Sequence, residues 1–198
     1  KILEPGGDPG NTRPKFLLPM LEKQTALLKQ HHPDAQMWIS AQGFSQEWLD
    51  EFVTILQTEA PDWLSGVVFG PWVHMPMAEF RQRIPARYPI RSYPDITHSL
   101  DCQYPVPDWD IAYALTEGRE TINPRPRQEQ IIFNQMGEDV IGFLTYSEGC
   151  NDDVNKFVWS GLGWDPQTDV AEILRQYSRF LIGDEYTHDF AQGLLALE

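Results

Sequence analysis

The chain has 198 residues, enough for one domain with a sizeable core. Its formal charge of −14 disfavours nucleic acid and anionic membrane as partners, since neither would offset phosphate repulsion, and it is compatible with a neutral ligand. Hydrophobic residues make up 41%, yet no apolar run approaches the roughly 20 residues of a membrane span, so the chain reads as soluble.

In chain order, Ile2–Leu3 reads as the end of a strand, followed by the turn Pro5-Gly6-Gly7-Asp8-Pro9-Gly10. A helix is expected from about Pro14 to Gln30, with Leu17, Met20, Leu21, Leu27 and Leu28 near a 3.6-residue period. Met37–Ser40 is the next strand. Ser45 fits the N-cap of a helix carrying Trp48, Leu49, Phe52, Val53 and Leu56 on one side. Val67–Phe69 is a third strand, a short helix lies near Ala78–Arg83, and Pro89–Ser92 makes a fourth strand. Residues 94–126 read as a long loop holding Pro105, Pro107, Pro124 and Pro126. A loop of that length is functional or disordered, and its aromatics and mixed charges argue against disorder. A helix near Arg127–Met136 leads to a fifth strand, Val140–Tyr146. Towards the C-terminus, Asp165 is expected to cap a helix with Pro166 in its first position, and Val170, Ile173, Leu174, Tyr177 and Leu181 form its apolar stripe. A last helix covers about His188–Leu197. No internal repeat or low-complexity segment is visible.

Strand–helix alternation implies an α/β fold with a parallel sheet and right-handed crossovers. Neither GxGxxG nor GxxxxGK[ST] occurs, and GGDPG is short and acidic where a phosphate would sit. The fold expected is a partial TIM barrel, about strands four to eight of a (β/α)8 barrel, with extra C-terminal helices, forming one domain over 1–198. Four strand ends run into polar or aromatic residues: QMWISAQGF at 36–44, GVVFGPWVH at 66–74, YPIRSYPDITH at 88–98 and FLTYSEGCNDDVNK at 143–156. In a parallel barrel such ends share one face and present chemistry from a rigid frame.

Seven Trp, seven Tyr and ten Phe supply core, and those at strand ends are candidates for sugar-stacking faces. The two cysteines, Cys102 and Cys150, are too few for a disulfide scaffold, and the sequence leaves open whether they bond to each other. The first residues, KILEPGGDPG, show no initiator Met and no apolar leader, so the chain is expected to be an internal piece of a longer protein and its localisation is unknown. Its open barrel edges are expected to meet the missing N-terminal half or a second copy.

GGDPG, YPIRSYPDITHS, CQYPVPDWD, EGRETINPRP and YSEGCNDDVNK, followed by WDP and a helix, resemble the catalytic-barrel half of bacterial carbohydrate-active proteins. Such barrels are related at fold level to the hexosaminidase and α-glucuronidase glycoside hydrolases, and the resemblance spans nearly the whole chain. In those enzymes an acid at the end of barrel strand four commonly serves as general acid, and Asp8 falls there. The hexosaminidase pattern has two adjacent acids at that point, whereas here Asp8 is followed by Pro9, a departure that weighs against acetamido-assisted chemistry.

Glycosidic hydrolysis needs two carboxyls flanking the bond, roughly 5–5.5 Å apart for retention and about 6.5–9.5 Å for inversion. Asp8, Asp95 and Glu148 each follow a different expected strand and are the catalytic candidates. Asp8 also fits a turn residue, and Asp95 also fits a cap for the following turn. Gly149 beside Glu148 would let backbone approach a ligand closely. Trp72, Tyr93, Gln103 and Trp109 are expected to line sugar subsites. In Glu117-Gly118-Arg119-Glu120, Glu117 and Arg119 either reach the ligand or form a salt bridge within the loop. Arg125 reads as structural. Adjacent helical residues point about 100° apart, so of Asp152 and Asp153 only one can face a pocket, and Asp152 is the better candidate. His31, His32, His74, His98 and His188 are scattered, and the EF-hand spacing is absent, so neither a metal nor another cofactor is expected. No GxSxG elbow occurs. The function expected is glycoside hydrolysis by paired carboxylates, and the alternative is a non-catalytic carbohydrate-binding barrel.

Overall fold

Short apolar strands alternating with amphipathic helices build a mixed α/β protein, whose computed structural model describes residues 2–3, 12–98, 102–106, 124–145 and 152–198. The chain divides into two compact units, Lys1–Tyr93 with Glu138–Leu144, and Pro94–Gly137 with Thr145–Glu198.

The first unit runs β1 (Ile2–Leu3), α1 (Pro14–His31), β2 (Met37–Ser40), α2 (Gln46–Thr58), β3 (Leu64–Phe69), α3 (Met77–Arg83) and β4 (Ile90–Ser92). Pro14 opens α1, where its missing N–H costs nothing. Ser45 Oγ accepts from Trp48 N at 3.3 Å and caps α2, whose Leu49, Phe52, Val53 and Leu56 form one buried stripe. The helix closes with Glu59 N on Ile55 O, and Ala60 then turns the chain out at φ +44°. Past α3, Arg81 donates to the carbonyls of Ile84, Pro85 and Tyr88 and so fixes the approach to β4.

Three parallel ladders join these strands in the order β1-β2-β3-β4. Each new strand therefore adds beside the one before it. Leu17, Leu18 and Leu21 of α1, the α2 stripe and Phe80 of α3 share one buried core with Ile39, Val67, Phe69 and Ile90. The opposite sheet face carries Trp38, Val68 and Arg91, with the Arg91 guanidinium 4.0 Å from the Trp38 ring centroid. Trp38 pairs with Gly66 of the strand between them, and a Cβ at Gly66 would lie 2.2 Å from Trp38 Cζ3. Glycine is therefore what lets the indole lie across β3 to reach Arg91. Gly66→Ala should cost about 1–3 kcal/mol in urea unfolding, the usual scale for overpacking. In a Trp38→Leu background the cost should largely vanish, and persistence of the full loss there would rule the ring out as its cause.

Among the described residues of the expected fifth strand, Val140–Tyr146, the pairing with β4 is an isolated parallel bridge, Ser92 to Phe143. Ile141 N donates to Ile90 O at 2.8 Å, Ser92 N to Gly142 O at 2.9 Å and Leu144 N to Ser92 O at 2.9 Å. Those bonds use the whole three-residue length of β4, and Ile141 and Leu144 stay exposed, so burial does not extend the pairing. Tyr146 lies outside the described residues.

Helices dominate the second unit: α4 (Pro126–Met136), α5 (Asp153–Trp164), α6 (Val170–Leu181) and α7 (Thr187–Leu197). Val154, Val158 and Leu162 of α5 pack with Ile173, Leu174 and Tyr177 of α6 and with Ala191 and Leu194 of α7. Asp165 and Pro166 do not start a helix as the sequence suggests. Asp165 follows the end of α5, and its Oδ1 accepts from Gln167 N in a turn. The cap of α6 is Asp169, whose Oδ1 accepts from Ala171 N at 3.1 Å. Starting there places Val170, Ile173, Leu174 and Tyr177 on the buried side while 165–167 remain exposed.

Candidate functional site

Two motifs far apart in sequence meet inside the second unit. In Pro94-Asp95-Ile96-Thr97-His98, Asp95 Oδ1 accepts from the backbone N–H of Thr97 at 3.0 Å and of His98 at 3.2 Å. Self-bonding of this kind is how an Asp fixes a tight turn. Its Oδ2 lies 2.5 Å from His98 Nδ1, so the carboxylate also sets the imidazole's orientation and favours a proton on Nδ1. Gln103 Oε1 accepts from Asp95 N at 3.3 Å, and the Cys102 thiol donates to His98 O at 3.2 Å.

From the other motif, Asp152 immediately precedes α5. Thr97 Oγ1 donates to Asp152 Oδ2 at 3.1 Å, and Lys156 Nζ, one helical turn on, lies 3.0 Å from Asp152 Oδ1. Asn155 Nδ2 donates to Ile96 O at 3.2 Å while Asn155 Oδ1 accepts from Arg125 N at 2.9 Å. One amide thus ties the 95–98 turn to the start of α4. Asp95, Thr97, His98, Asp152 and Asn155 are all buried, so these bonds act at low dielectric and are correspondingly firm. Asp153, the neighbour of Asp152, points elsewhere and accepts from the Tyr177 hydroxyl at 2.5 Å. Burial, and then that bond and the Asp153 charge, push the Tyr177 phenol up to about 12.

A third carboxyl belongs to the same unit. Glu129 is fully buried on α4, where Trp159 Nε1 donates to its Oε2 at 2.7 Å. Its Oε1 lies 3.3 Å from Arg125 Nη2 as a charge contact, out of line for a hydrogen bond. Burial pushes the Glu129 carboxyl up to about 7; Arg125 and the Trp159 bond oppose the shift, and the charges of Asp95 and Glu198 add to it. Arg125 is itself buried, donating to Tyr104 O at 2.9 Å, in keeping with a structural part.

Of the residues nominated from sequence, Asp95, Gln103 and Asp152 thus join one network. Trp72 and Tyr93 belong to the first unit: Trp72 O accepts from Gly43 N at 3.3 Å, and Tyr93 N donates to Phe69 O at 2.7 Å, both beyond the C-terminal ends of strands. Asp8, Glu148, Trp109, Glu117 and Arg119 lie outside the described residues, as does Cys150. Thr97, His98 and Asn155 were not nominated. The Asp95-x-x-His98 spacing was a local signal for the first two, whereas the partnership of Glu129 with Trp159, 30 residues apart, has none. Among the described residues no group of three or more His, Cys, Asp and Glu is placed to hold a metal ion, and no helix is long and apolar enough to cross a membrane.

Searches against protein-family models, curated proteins and solved structures returned no match to this chain.

Proposed function

We propose that this chain is the C-terminal half of a (β/α)8 barrel that hydrolyses glycosidic bonds. The carrying observation is the meeting of the PDITH and CNDDVNK motifs through the Thr97–Asp152 and Asn155–Ile96 bonds, because the resemblance to glycoside hydrolases rests on those same motifs. Strand order supports the barrel. In a doubly wound sheet the order reverses at a switch point, and helices then cover both faces. Here the order is monotonic, and right-handed crossovers then put every helix on one face, leaving the other to be covered by curling the sheet. The outer edges of such a sheet are met, in this proposal, by the preceding strands of a longer polypeptide or by a second copy.

Roles follow from the hydrogen bonds. Both Asp95 oxygens are engaged within the chain, so Asp95 is a positioning residue that holds the turn and orients His98. Glu148 and Asp8 are then the carboxyls proposed to flank the bond, one donating a proton to the leaving oxygen and the other serving as base or nucleophile. Trp72, Tyr93, Gln103 and Trp109 are the proposed sugar contacts, with Glu117 and Arg119 from the long loop.

The engagement of Asp95 also favours one rival, a carbohydrate-binding barrel without catalysis, since such a module needs no available acid. Incubating the chain with a panel of aryl glucosides, xylosides, glucuronides and N-acetylglucosaminides separates the two. Release of the aryl alcohol is the expected result. Saturable sugar binding without release would favour the binding module, and neither binding nor release would remove both.

A further inference from the structure

We infer that a cleft between α5 and α6 of the second unit binds a small aromatic carboxylate. Phe157 of α5 lines it together with Gln176, Arg179 and Phe180 of α6, and it spans about 440 Å³. That volume falls within the range of small-molecule sites, which combine apolar walls with a few convergent polar groups. Gln176, Arg179 and Phe180 stand three and four residues apart, so they share one face of α6, and all three are exposed to solvent.

The aromatic wall is partly fixed and partly open. Phe157 packs edge-on against Tyr177 with centroids 5.1 Å apart, while Phe180 lies 6.3 Å from Phe157 at a tilt of 40° and is 78% exposed. Scattered surface phenylalanines call for no explanation. Two that line one cleft offer an aromatic guest the edge-to-face and offset contacts that rings prefer. The polar groups say what else the guest carries. Arg179 commits only Nε to Asp184, at 2.9 Å, and among the described residues its two terminal nitrogens have no partner. That pair is a planar fork suited to both oxygens of a carboxylate, and it repels a cation. The Gln176 amide also has no partner among the described residues and supplies a further donor. One turn before it, the Glu172 carboxylate is offset by Arg175 at 3.0 Å. A protein segment fits the cleft less well, since its four side chains supply far less than the roughly 800 Å² per partner of a stable interface.

The test uses the whole chain and three probes: 2-naphthylacetate, its neutral amide 2-naphthylacetamide, and acetate. NMR titration reads affinity and, through the ring protons of Phe157 and Phe180, the place of binding. Naphthylacetate should saturate with shifts at both rings, the amide should bind at least ~10-fold more weakly, and acetate should not saturate, because ring and charge are both required. Arg179→Met should bring naphthylacetate down to the affinity of the amide while leaving the amide unchanged. Phe180→Ala should weaken both aromatic probes. Both side chains are exposed, so the variants should keep the wild-type melting temperature, which separates lost contacts from lost folding. Equal affinity for acid and amide would overturn the carboxylate, and wild-type affinity in both variants would overturn the site. Shifts confined to residues outside the cleft, or no saturable binding at millimolar naphthylacetate, would overturn the inference altogether. None of these outcomes bears on glycoside hydrolysis, for which the proposed groups are different residues.

Discussion

Asp95→Ala is expected to destabilise the second unit by about 3–5 kcal/mol, the combined scale of three buried donors losing their shared acceptor. The substitution strips the acceptor from two buried backbone N–H groups, those of Thr97 and His98, and from the His98 ring 2.5 Å away. Each orphaned donor costs about 1–3 kcal/mol, so the combined loss rivals the total stability of many domains. Asp95→Asn tells a different story. Its Oδ1 still accepts both N–H groups and so keeps the turn, while an NH2 now faces His98 and forces the imidazole to present a bare Nδ1. The Asn variant should therefore fold with a loss of about 1–2 kcal/mol while shifting the His98 tautomer in nitrogen-detected NMR. Equal losses in the two variants would mean that the turn contributes little, and an Asp95→Ala loss under about 1 kcal/mol would remove the network from any structural account.

Glu129 should give the chain an uncommon pH dependence, with stability falling as pH rises through the weakly acidic range. The folded carboxyl titrates near 7 because it is buried, against 4.5 for the free side chain. Between those values the folded state holds the proton that the unfolded state has released. The stability conferred by the neutral carboxyl is thus complete below pH 4.5 and declines as pH climbs through about 7. At about 1.4 kcal/mol for each unit of separation, the whole effect is on the order of 3 kcal/mol. Glu129→Gln removes the titration while retaining an oxygen for Trp159 Nε1. Urea unfolding from pH 4.5 to 8 should show the wild type losing stability where the variant stays flat. A variant with the wild-type slope would place the titrating group elsewhere.

Local signals explain what the sequence disclosed. The stripe Leu49, Phe52, Val53 and Leu56 behind Ser45 announced α2, and the apolar runs at 37–40 and 67–69 announced β2 and β3, because period and cap chemistry are properties of neighbouring residues. Less legible was α5, whose last turn holds Gly161 and Gly163, residues that oppose helix on propensity and are overridden by packing of Val158 and Leu162. The start of α6 is ambiguous in the sequence because Asp165-Pro166 and Asp169 are both sound caps in isolation, and only the burial of Val170 and Ile173 decides between them. Within the site, Asp95 and Asp152 could be nominated as polar residues beyond strands. That Thr97 would join them across 55 residues, or that Asp95 would turn both oxygens inward, depends on how distant segments pack.

Hydrolysis of aryl glycosides by the wild type, Glu148→Gln and Asp8→Asn, measured side by side with sugar binding, tests the central proposal most directly. Each substitution keeps shape and hydrogen-bonding capacity while removing the group that would carry or accept the proton. The proposal predicts a turnover loss of at least ~100-fold in each variant with sugar affinity little changed. Wild-type turnover that survives both substitutions would contradict it.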